Sequence, residues 1–399
     1  MDLFNKAHGT MVGLACGDAL GALAEHIPLD YKSEAKTISQ MVLPLPLEKL
    51  IPKAENEKSL NRLQDYINHM PLPGLYTDDT QEAMLLALSL INNKGINPRD
   101  IADLFIQAAK IPGYSELGIF RQAGPGFKQV IKNLMIYKPL NTAGVISAGN
   151  GAAMRISPLG VYYNHDIDIL LLATIKASMI THRDIRGIAA AGIIAYTVAY
   201  SLNKSGDTFE AGDLIYNLKL FVRELENIII ANYNTIQYEM ETKHQISDAI
   251  NIISDISNLD YEKATARLDK LARKTSNVKN SYHNSPFALG SVFFSLYIFI
   301  SQGGEPKQAI LTAVNAGGDA DTIGAMVGTM CGALHGYEKI PVNWRDSLCN
   351  MEILREVGTS LITGLPINVN LIDIEKDWCK KEILFRNKYR QLVHKALGF

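Results

Sequence analysis

The apolar positions along this chain recur mostly with the period of an α-helix. Alternation with a period of two, which is typical of half-buried strands, is scarce, and no Asn-Gly turn joins two oily strand-like runs. The pattern therefore predicts an all-α fold. Amphipathic helices are expected at 81–93, 99–110, 126–136, 168–180, 209–230, 245–257, 261–274 and 306–314.

Two of the helical segments carry a glycine at every fourth position. The first predicted helix runs from about Asn5 to Ala24 and has glycines at 9, 13, 17 and 21, and a second series falls at 324, 328, 332 and 336. Residues four apart lie on one face of a helix, so each series forms a stripe on which another helix can approach closely. These segments are expected at the tightly packed centre of a soluble helical domain. A weaker stripe consists of Gly187, Ala191, Ala195 and Ala199.

Composition and charge exclude several classes of protein. The chain has 399 residues, of which 47% are hydrophobic, and its net charge of -2 argues against nucleic acid or an anionic membrane as a partner. Four scattered cysteines without a C-x-x-C pair argue against a zinc knuckle or a disulfide framework and fit a reducing compartment. The oiliest segment, Phe287 to Ser301, is too short for a comfortable membrane span and predicts a buried core helix. With no signal peptide recognised, we expect a soluble, cytoplasmic protein, whose oligomeric state the sequence does not indicate.

The chain is predicted to form one all-helical domain over residues 1–399. No Gly/Ser-rich or like-charge linker divides it. The region from about 27 to 74 is polar and interrupted by prolines, and it is expected to be a long connection or insertion. A second insertion is expected at about 205–283, which is rich in charge and asparagine. Residues from about 340 to 399 carry both tryptophans and many charges, and they are predicted to form a peripheral helical tail.

Two short segments place paired aspartates and a threonine where a helix is predicted to begin. They are "YTDDTQEAM", 76–84, and "NAGGDADTIG", 315–324. One interpretation is helix capping, in which a side-chain oxygen accepts a hydrogen bond from a free backbone N–H of the first turn. Asp78 and Gln81 have the spacing of a capping box. The residues concerned are Thr77, Asp78, Asp79, Asp319, Asp321 and Thr322.

The second interpretation is that these residues bind divalent cations. A cap needs one side chain, whereas each segment supplies two carboxylates, whose mutual repulsion in a low-dielectric site a cation would relieve. Hard divalent ions take carboxylate, hydroxyl and water oxygens, so two facing clusters could hold two Mg²⁺ ions, with Mn²⁺ as a substitute. Glu25, which follows the first helix, is a third acidic element, although a glutamate at a helix end is often simply solvated. Asp18 is interpreted mainly as a helix residue or as a cap facing a backbone N–H.

Five sequence blocks, in this order, resemble the ADP-ribosylglycohydrolase family, which includes the dinitrogenase-reductase-activating glycohydrolase. They are "GLACGDALGALAE", "YTDDT", "SAGNGAAMRISPLG", "THRDIRG" and "NAGGDADTIGAMVG", and they extend from about residue 9 to 336. The resemblance implies a compact orthogonal multi-helix all-α domain with two magnesium ions in a central cleft. It also implies cleavage of the N- or O-glycosidic bond that links ADP-ribose to a protein side chain or a small acceptor.

The resemblance further implies roles for individual residues. Glu25 matches the family's acidic residue at the end of the first helix, and Glu25, Asp78 and Asp321 form the implied catalytic set. From the residues alone, "SAGNGAA" also fits a tight turn between helices, and a lone histidine is usually a core or capping residue. The implied metal ligands are Thr77, Asp78, Asp79, Asp319, Asp321 and Thr322, and the implied substrate-binding residues are Ser147, Gly149, Asn150, Gly151 and His182.

Two other functions are compatible with parts of the sequence. A two-metal phosphohydrolase on a helical scaffold would also use paired acids, but such sites commonly place histidines close to them, and none lies beside either cluster. A non-catalytic relative could bind ADP-ribose or serve as a structural protein, but the complete set of implied ligands argues against a decayed site. The acceptor of ADP-ribose stays open among arginine, serine, an O-acetyl group and a nucleic-acid base.

Overall fold

The structure, a computed structural model, describes residues 2–25, 27, 32, 35–45, 47–51, 57–113, 116–276, 278 and 280–396. It is all-α, as predicted, and within those ranges isolated β-bridges occur but no β-strand is formed. In chain order the α-helices are α1 Leu3–Ala24, α2 Leu47–Leu50, α3 Glu57–His69, α4 Asp78–Asn93, α5 Pro98–Lys110, α6 Pro125–Met135, α7 Leu140–Ala143, α8 Ser157–Tyr162, α9 Ile167–Met179, α10 Ile185–Leu202, α11 Ala211–Asn232, α12 Gln245–Ala249, α13 Asn251–Ile256, α14 Tyr261–Thr275, α15 Ala288–Ser301, α16 Pro306–Val314, α17 Ala320–His335, α18 Val342–Ser347, α19 Met351–Thr363 and α20 Leu371–Ala396.

Most of the predicted helices are present within three residues of their expected ends, and two regions differ. The single helix expected at 245–257 is divided into α12 and α13 at Ile250. The region expected to be a connection contains α3, a helix of 13 residues. Leu63 and Ile67 on α3 are fully buried, which shows that this helix is stabilised by packing that its polar composition did not suggest.

The glycine stripes of α1 and α17 pack directly against each other at the centre of the fold. A Cβ atom on Gly13 would lie 2.2 Å from the carbonyl oxygen of Gly328, and one on Gly17 would lie 1.9 Å from that of Gly324. Any side chain at these positions would collide with backbone, so only glycine permits this approach. As the residue number increases along α1, the number of the contacting residue on α17 decreases, so the two helices are antiparallel.

This antiparallel pairing brings the C-terminal end of α1 to the N-terminal end of α17. A Cβ atom on Gly21 would lie 2.2 Å from the carbonyl oxygen of Ala320 and 2.4 Å from the Cα atom of Asp321. Glu25 follows α1 immediately, and Asp319 precedes α17. The close helix contact thus joins acids from opposite ends of the sequence.

Helix α4 is fixed to the same place by Asp18, which lies on α1 and is fully buried. Asp18 Oδ1 accepts a hydrogen bond from the backbone N–H of Thr77 at 2.8 Å. Its Oδ2 accepts from the backbone N–H and the hydroxyl of Thr80, at 3.0 and 2.6 Å. Asp18 is therefore a cap facing backbone N–H groups, as interpreted from the sequence, but it caps a neighbouring helix.

The most apolar helices lie inside the molecule. Helix α15, predicted as a core helix, is buried from Ala288 to Ile300. In the part of the chain that the structure describes, α10 is the one helix long and apolar enough to cross a membrane. Of this helix, 83% is buried inside the fold. This degree of burial is typical of a core helix in a soluble protein.

A second, smaller core joins the segment 45–70 to the last helix. It contains Leu63, Tyr66 and Ile67 of α3 together with Tyr389 and Val393 of α20. The region expected as the first insertion and the region expected as the tail therefore pack against each other. The organisation of the chain as one catalytic domain with two insertions stays a prediction.

Candidate active site

The two aspartate clusters meet in space where α1 ends and where α4 and α17 begin. The Thr77 hydroxyl donates a hydrogen bond to Asp79 Oδ2 at 3.2 Å and lies 3.5 Å from Asp321 Oδ2. Two groups of carboxylates each place their oxygens within 4.8 Å of one another, namely Asp18, Asp79 and Asp321, and Glu25, Asp319 and Asp321. Asp321 belongs to both groups and links the two clusters.

Helix capping does not account for these acids. Thr77 and Asp319 occupy the N-cap positions of α4 and α17, but within the described residues neither side chain bonds to the backbone of its own helix. Asp319 Oδ2 instead accepts a hydrogen bond from the side-chain amide of Asn150. Asp321 accepts from the adjacent backbone N–H of Thr322 at 2.7 Å, which leaves its other oxygen directed at the cluster.

Burial and mutual repulsion raise the pKa values of five acids at this site, namely Glu25, Asp78, Asp79, Asp319 and Asp321. Burial is the main cause, and the charge of a neighbouring acid is the next. The pKa of Asp321 rises to about 6 and that of Asp319 to about 7. The pKa values of Glu25, Asp78 and Asp79 lie well above their ordinary range for the same reasons. The metal-free site therefore holds protons near neutral pH.

The residues present fit a hard divalent cation. Asp79 Oδ1 is buried and has no hydrogen-bond partner among the described residues. A buried carboxylate oxygen without a partner is costly in free energy, and a bound cation would satisfy it. The surrounding ligand atoms are carboxylate and hydroxyl oxygens, which Mg²⁺ and Mn²⁺ prefer over softer ligands.

We expect the metal-free protein to lose stability as the pH rises from about 6.5 to about 8. The pKa of Asp319 and that of Glu82 are both raised to about 7, mainly by burial. The folded state therefore binds more protons than the unfolded state below pH 7, and that stabilisation disappears as pH passes through the folded pKa. His182 has the opposite sign, because its pKa is lowered to about 3. In the unfolded chain its imidazole is half protonated at about pH 6.5, so above that pH it adds only the last part of its stabilisation and offsets only part of the loss.

Thermal unfolding with chelator and with Mg²⁺, at about pH 6.5 and about pH 8, checks this expectation. The unfolding temperature with chelator should fall with pH, and the stabilisation by Mg²⁺ should grow, because the acids then bind metal without displacing protons. A chelated protein that becomes more stable over this range would contradict the charge arrangement described above.

The glycine-rich segment from Ser147 to Gly151 lies against His182. A Cβ atom on Gly151 would lie 3.2 Å from His182 Cε1, and one on Gly149 would lie 3.9 Å from Nε2. The imidazole Nδ1 is 2.8 Å from the Thr181 hydroxyl. Burial, followed by the charge of Arg155, lowers the pKa of His182 to about 3, so this histidine is neutral at physiological pH.

A buried ion pair joins the acid cluster to the glycine-rich segment, and the sequence did not reveal it. Glu82 is fully buried one turn after Asp78 and accepts from Arg155 Nη1 at 2.8 Å. Arg155 also donates to the carbonyl of Gly151 and to the Thr181 hydroxyl. Asp184, by contrast, pairs with Arg186 at 2.7 Å.

A cavity of about 210 Å³ contains most of the residues singled out from the sequence. Thr77 lies behind its wall, where its hydroxyl contacts Asp79. The cavity lining includes Glu25, Asp78, Asp79, Ser147, Gly149, Asn150, Gly151, His182, Asp319, Asp321 and Thr322. Their position in one cavity is a finding, and their individual roles remain predictions.

Part of the segment "RQAGPGF", 121–127, lines the same cavity, although its residue types alone indicate no role. Gln122, Gly124, Gly126 and Phe127 contribute to its lining, together with the glycine-rich segment. Gln122 has a positive φ of 55°, which is uncommon for a residue other than glycine. The two glycines on either side of Pro125 could have indicated a loop that approaches the ligand, but they also fit an ordinary turn.

A larger cavity of about 670 Å³ adjoins the first, and Ser147, Gly149 and Pro286 line both. Its outer wall comes from the region expected to be an insertion, through Gln237 and Glu239. The backbone of Gln237 is tied to the core by a bridge to Asp184. This part of the region thus lines the cavity that adjoins the one containing the acid cluster.

Comparison with known proteins agrees with the resemblance in the motifs. The family model for ADP-ribosylglycohydrolase matches residues 1–368. The ADP-ribosylhydrolase ARH3 of Danio rerio is 27% identical over 371 residues, which cover 86% of this chain and 86% of that protein. The ADP-ribosylarginine hydrolase Tri1 of Serratia proteamaculans (strain 568) is 23% identical over 364 residues, covering 91% of this chain and 80% of that protein.

A solved structure agrees in fold. An ADP-ribosylglycohydrolase-related protein complex superimposes with a TM-score of 0.58 at 23% identity, over 90% of this chain and 98% of the other. The match of the family model covers far more than half of the sequence and includes both acidic segments and the glycine-rich segment. This chain belongs to the ADP-ribosylglycohydrolase family.

Proposed function

We propose that this protein is a magnesium-dependent ADP-ribosylhydrolase that cleaves the glycosidic bond between ADP-ribose and an acceptor and releases ADP-ribose. The substrate would be an ADP-ribosylated protein or a small ADP-ribose conjugate. The observation that carries the proposal is the convergence of the two aspartate clusters around Asp321, beside a glycine-rich segment in the same cavity. The names of the relatives support the same reaction class.

The proposed metal site consists of oxygen ligands from both clusters. A bound pair of Mg²⁺ ions, or Mn²⁺ in their place, would hold ribose hydroxyls and lower the pKa of a water molecule. The chain holds this site rigidly, because Asp18 fixes α4 and the glycine stripes fix α17. The proposed ligands are Thr77, Asp78, Asp79, Asp319, Asp321 and Thr322.

Glu25 is proposed as the group that exchanges a proton during glycosidic cleavage. It follows the last turn of α1, lines the cavity and has a carboxylate oxygen within 4.8 Å of Asp319 and Asp321. Glycosidic bonds break through an oxocarbenium-like transition state that needs a positioned acid and a water molecule. Glu25 borders the acid cluster, so it can act next to the proposed metal ligands.

The glycine-rich segment and His182 are proposed to bind the diphosphate of ADP-ribose. Arg155 donates to the Thr181 hydroxyl, and that hydroxyl can in turn donate its hydrogen to His182 Nδ1. The neutral imidazole then carries its proton on Nε2, on the side of Gly149 and Gly151. A phosphate oxygen would be bound there by a neutral donor and by backbone N–H groups, which glycine leaves accessible.

The cavity at the acids holds only part of ADP-ribose, and the adjoining cavity of about 670 Å³ supplies the remaining space. Ligand sites of drug-sized molecules commonly have volumes of about 300–1,000 Å³. We therefore propose that the distal ribose lies at the acids and that the nucleotide extends past Ser147 and Gly149. All four cysteines are free, which supports the proposed cytoplasmic location.

A turnover assay tests the proposed reaction. Peptides carrying ADP-ribosyl-arginine and ADP-ribosyl-serine would be incubated with the protein and either Mg²⁺ or chelator. We expect free ADP-ribose from at least one peptide, with Mg²⁺ only. Release of inorganic phosphate would instead indicate a phosphohydrolase, and tight binding of both peptides without any product would indicate a non-catalytic ADP-ribose-binding protein.

A further inference from the structure

The last helix, α20, lies beyond the residues that the family model matches, yet it inserts charged side chains into the interior. The match to the family model ends at residue 368, and α20 begins at Leu371. Glu375, Glu382 and Arg386 on this helix are all buried, with 5%, 1% and 9% of their surface exposed. Buried charges are costly unless they are paired and hydrogen-bonded, so their partners show what the helix contacts.

Glu375 accepts hydrogen bonds from four side chains, of which the one from Asn350 is the longest, at 3.5 Å. Its Oε1 accepts from the Tyr76 hydroxyl at 2.7 Å. Its Oε2 accepts from Gln81 Nε2 at 2.7 Å and from Arg121 Nη1 at 2.6 Å. Arg121 is almost fully buried. Its hydrogen bond to Glu375 joins a positive donor to a negative acceptor, which makes it stronger than a hydrogen bond between neutral groups.

Tyr76, Gln81 and Arg121 surround the first acidic segment. Tyr76 directly precedes Thr77, and Gln81 lies in the first turn of α4. The backbone carbonyl of Arg121 accepts from the N–H of Asp78 at 3.1 Å, and the N–H of Arg121 donates to Gln81 Oε1 at 2.9 Å. One carboxylate on α20 thus holds the residues before, after and opposite the turn that carries Asp78.

Further contacts of α20 fix the chain that leads into this turn. Glu382 accepts from the backbone N–H of Leu72 at 3.2 Å, and Arg386 donates to the carbonyl of Met70 at 2.9 Å. Trp378 donates to the side chain of Asn350, which in turn donates to the Tyr76 hydroxyl at 2.7 Å. The helix is therefore attached to the acidic segment and to the backbone that precedes it.

We propose that Glu375 is a positioning residue for the metal-binding turn, and that α20 is the element through which this chain sets the geometry of Asp78 and Asp79. The inference rests on the proposed function, in which those aspartates hold Mg²⁺. Outer contacts of this kind orient ligands and strengthen metal binding without touching the metal. Loss of the Glu375 carboxylate removes the nearer of the two carboxylates paired with Arg121. It also removes the shorter of the two hydrogen bonds that Gln81 Nε2 donates, the other being to the carbonyl of Ile119.

Calorimetric titration of Mg²⁺ into the metal-free, full-length protein tests the inference. Glu375→Gln should raise the Kd for Mg²⁺ about tenfold, the lower end of what loss of an outer contact costs. The matched control is Asp377→Asn on the same helix, because Asp377 is 66% exposed and pairs only with the exposed Lys380 among the described residues. The control should bind Mg²⁺ like the unaltered protein.

The outcomes separate the inference from the proposed function. If the unaltered protein binds no Mg²⁺, the proposed function and the inference both fail. If the unaltered protein binds Mg²⁺ and Glu375→Gln binds it equally well, only the inference fails, even if the unfolding temperature has dropped. Should Glu375→Gln not fold, Tyr76→Phe decides by the same titration, because it removes one donor to Glu375, and an unchanged Kd would then overturn the inference.

Discussion

Asp321→Asn should abolish most turnover and at the same time stabilise the metal-free protein. Asp321 is the residue common to both groups of carboxylates, so its loss removes an oxygen ligand shared by the two clusters. We expect kcat/KM to fall by more than about a hundredfold, the upper end of what loss of an outer contact costs at a metal site. In the absence of metal, removal of one of several buried, mutually repelling acids should instead raise the unfolding temperature by roughly 2 °C.

Release of ADP-ribose and thermal unfolding with and without Mg²⁺ measure the two effects on the same preparation. The matched control is Asp168→Asn, an exposed aspartate in the first turn of α9. It should leave turnover and Mg²⁺ stabilisation unchanged, because surface substitutions away from special features have small effects. Full turnover with normal magnesium dependence in Asp321→Asn would refute its role as a ligand.

Gly17→Ala should destabilise the protein by about 3 kcal/mol or more, at the high end for overpacking of a core. A Cβ atom there would lie 1.9 Å from the carbonyl oxygen and 2.3 Å from the carbonyl carbon of Gly324. Both atoms belong to the backbone of α17, so no side chain can rotate away and the two helices must separate. Because Asp18 follows directly and Asp321 lies one turn before Gly324, the separation should also weaken Mg²⁺ binding.

Denaturant unfolding measures this effect, and Gly212→Ala is the matched control. Gly212 lies on α11, and no atom of the described residues would lie within 4 Å of a Cβ built there. The same substitution should therefore stabilise that helix by about 0.5 kcal/mol, through the lower entropy of the unfolded chain. A Gly17→Ala protein as stable as the unaltered one would show that the glycine stripes do not form the observed contact.

The helical fold and the central position of the glycine stripes could be predicted from the sequence because both depend on local periodicity. Glycines at 9, 13, 17 and 21 have the spacing of one helix face whatever the rest of the chain does. The antiparallel pairing with α17 could not be derived in the same way, since it depends on packing between segments far apart in sequence. The helix α3 was missed for a similar reason, because its apolar face is buried by α20.

For the candidate site, the sequence alone left capping and metal binding open for the same residues. The structure favours metal binding because Asp18, on another helix, already caps the start of α4. The contacts of Glu82 with Arg155 and of Glu375 with Arg121 had no sequence signal, since each joins residues more than 70 positions apart. Such pairs are visible only once the helices have been placed together.

Calorimetric titration of Mg²⁺ into the metal-free protein, in two buffers with different ionisation enthalpies, tests the central claim most directly. The acids hold protons near neutral pH, with the pKa of Asp319 at about 7 and that of Asp321 at about 6. We therefore predict that Mg²⁺ binds and releases protons, and that the number released falls between about pH 6 and about pH 8. No detectable binding, or binding with no proton release at about pH 6, would contradict the account.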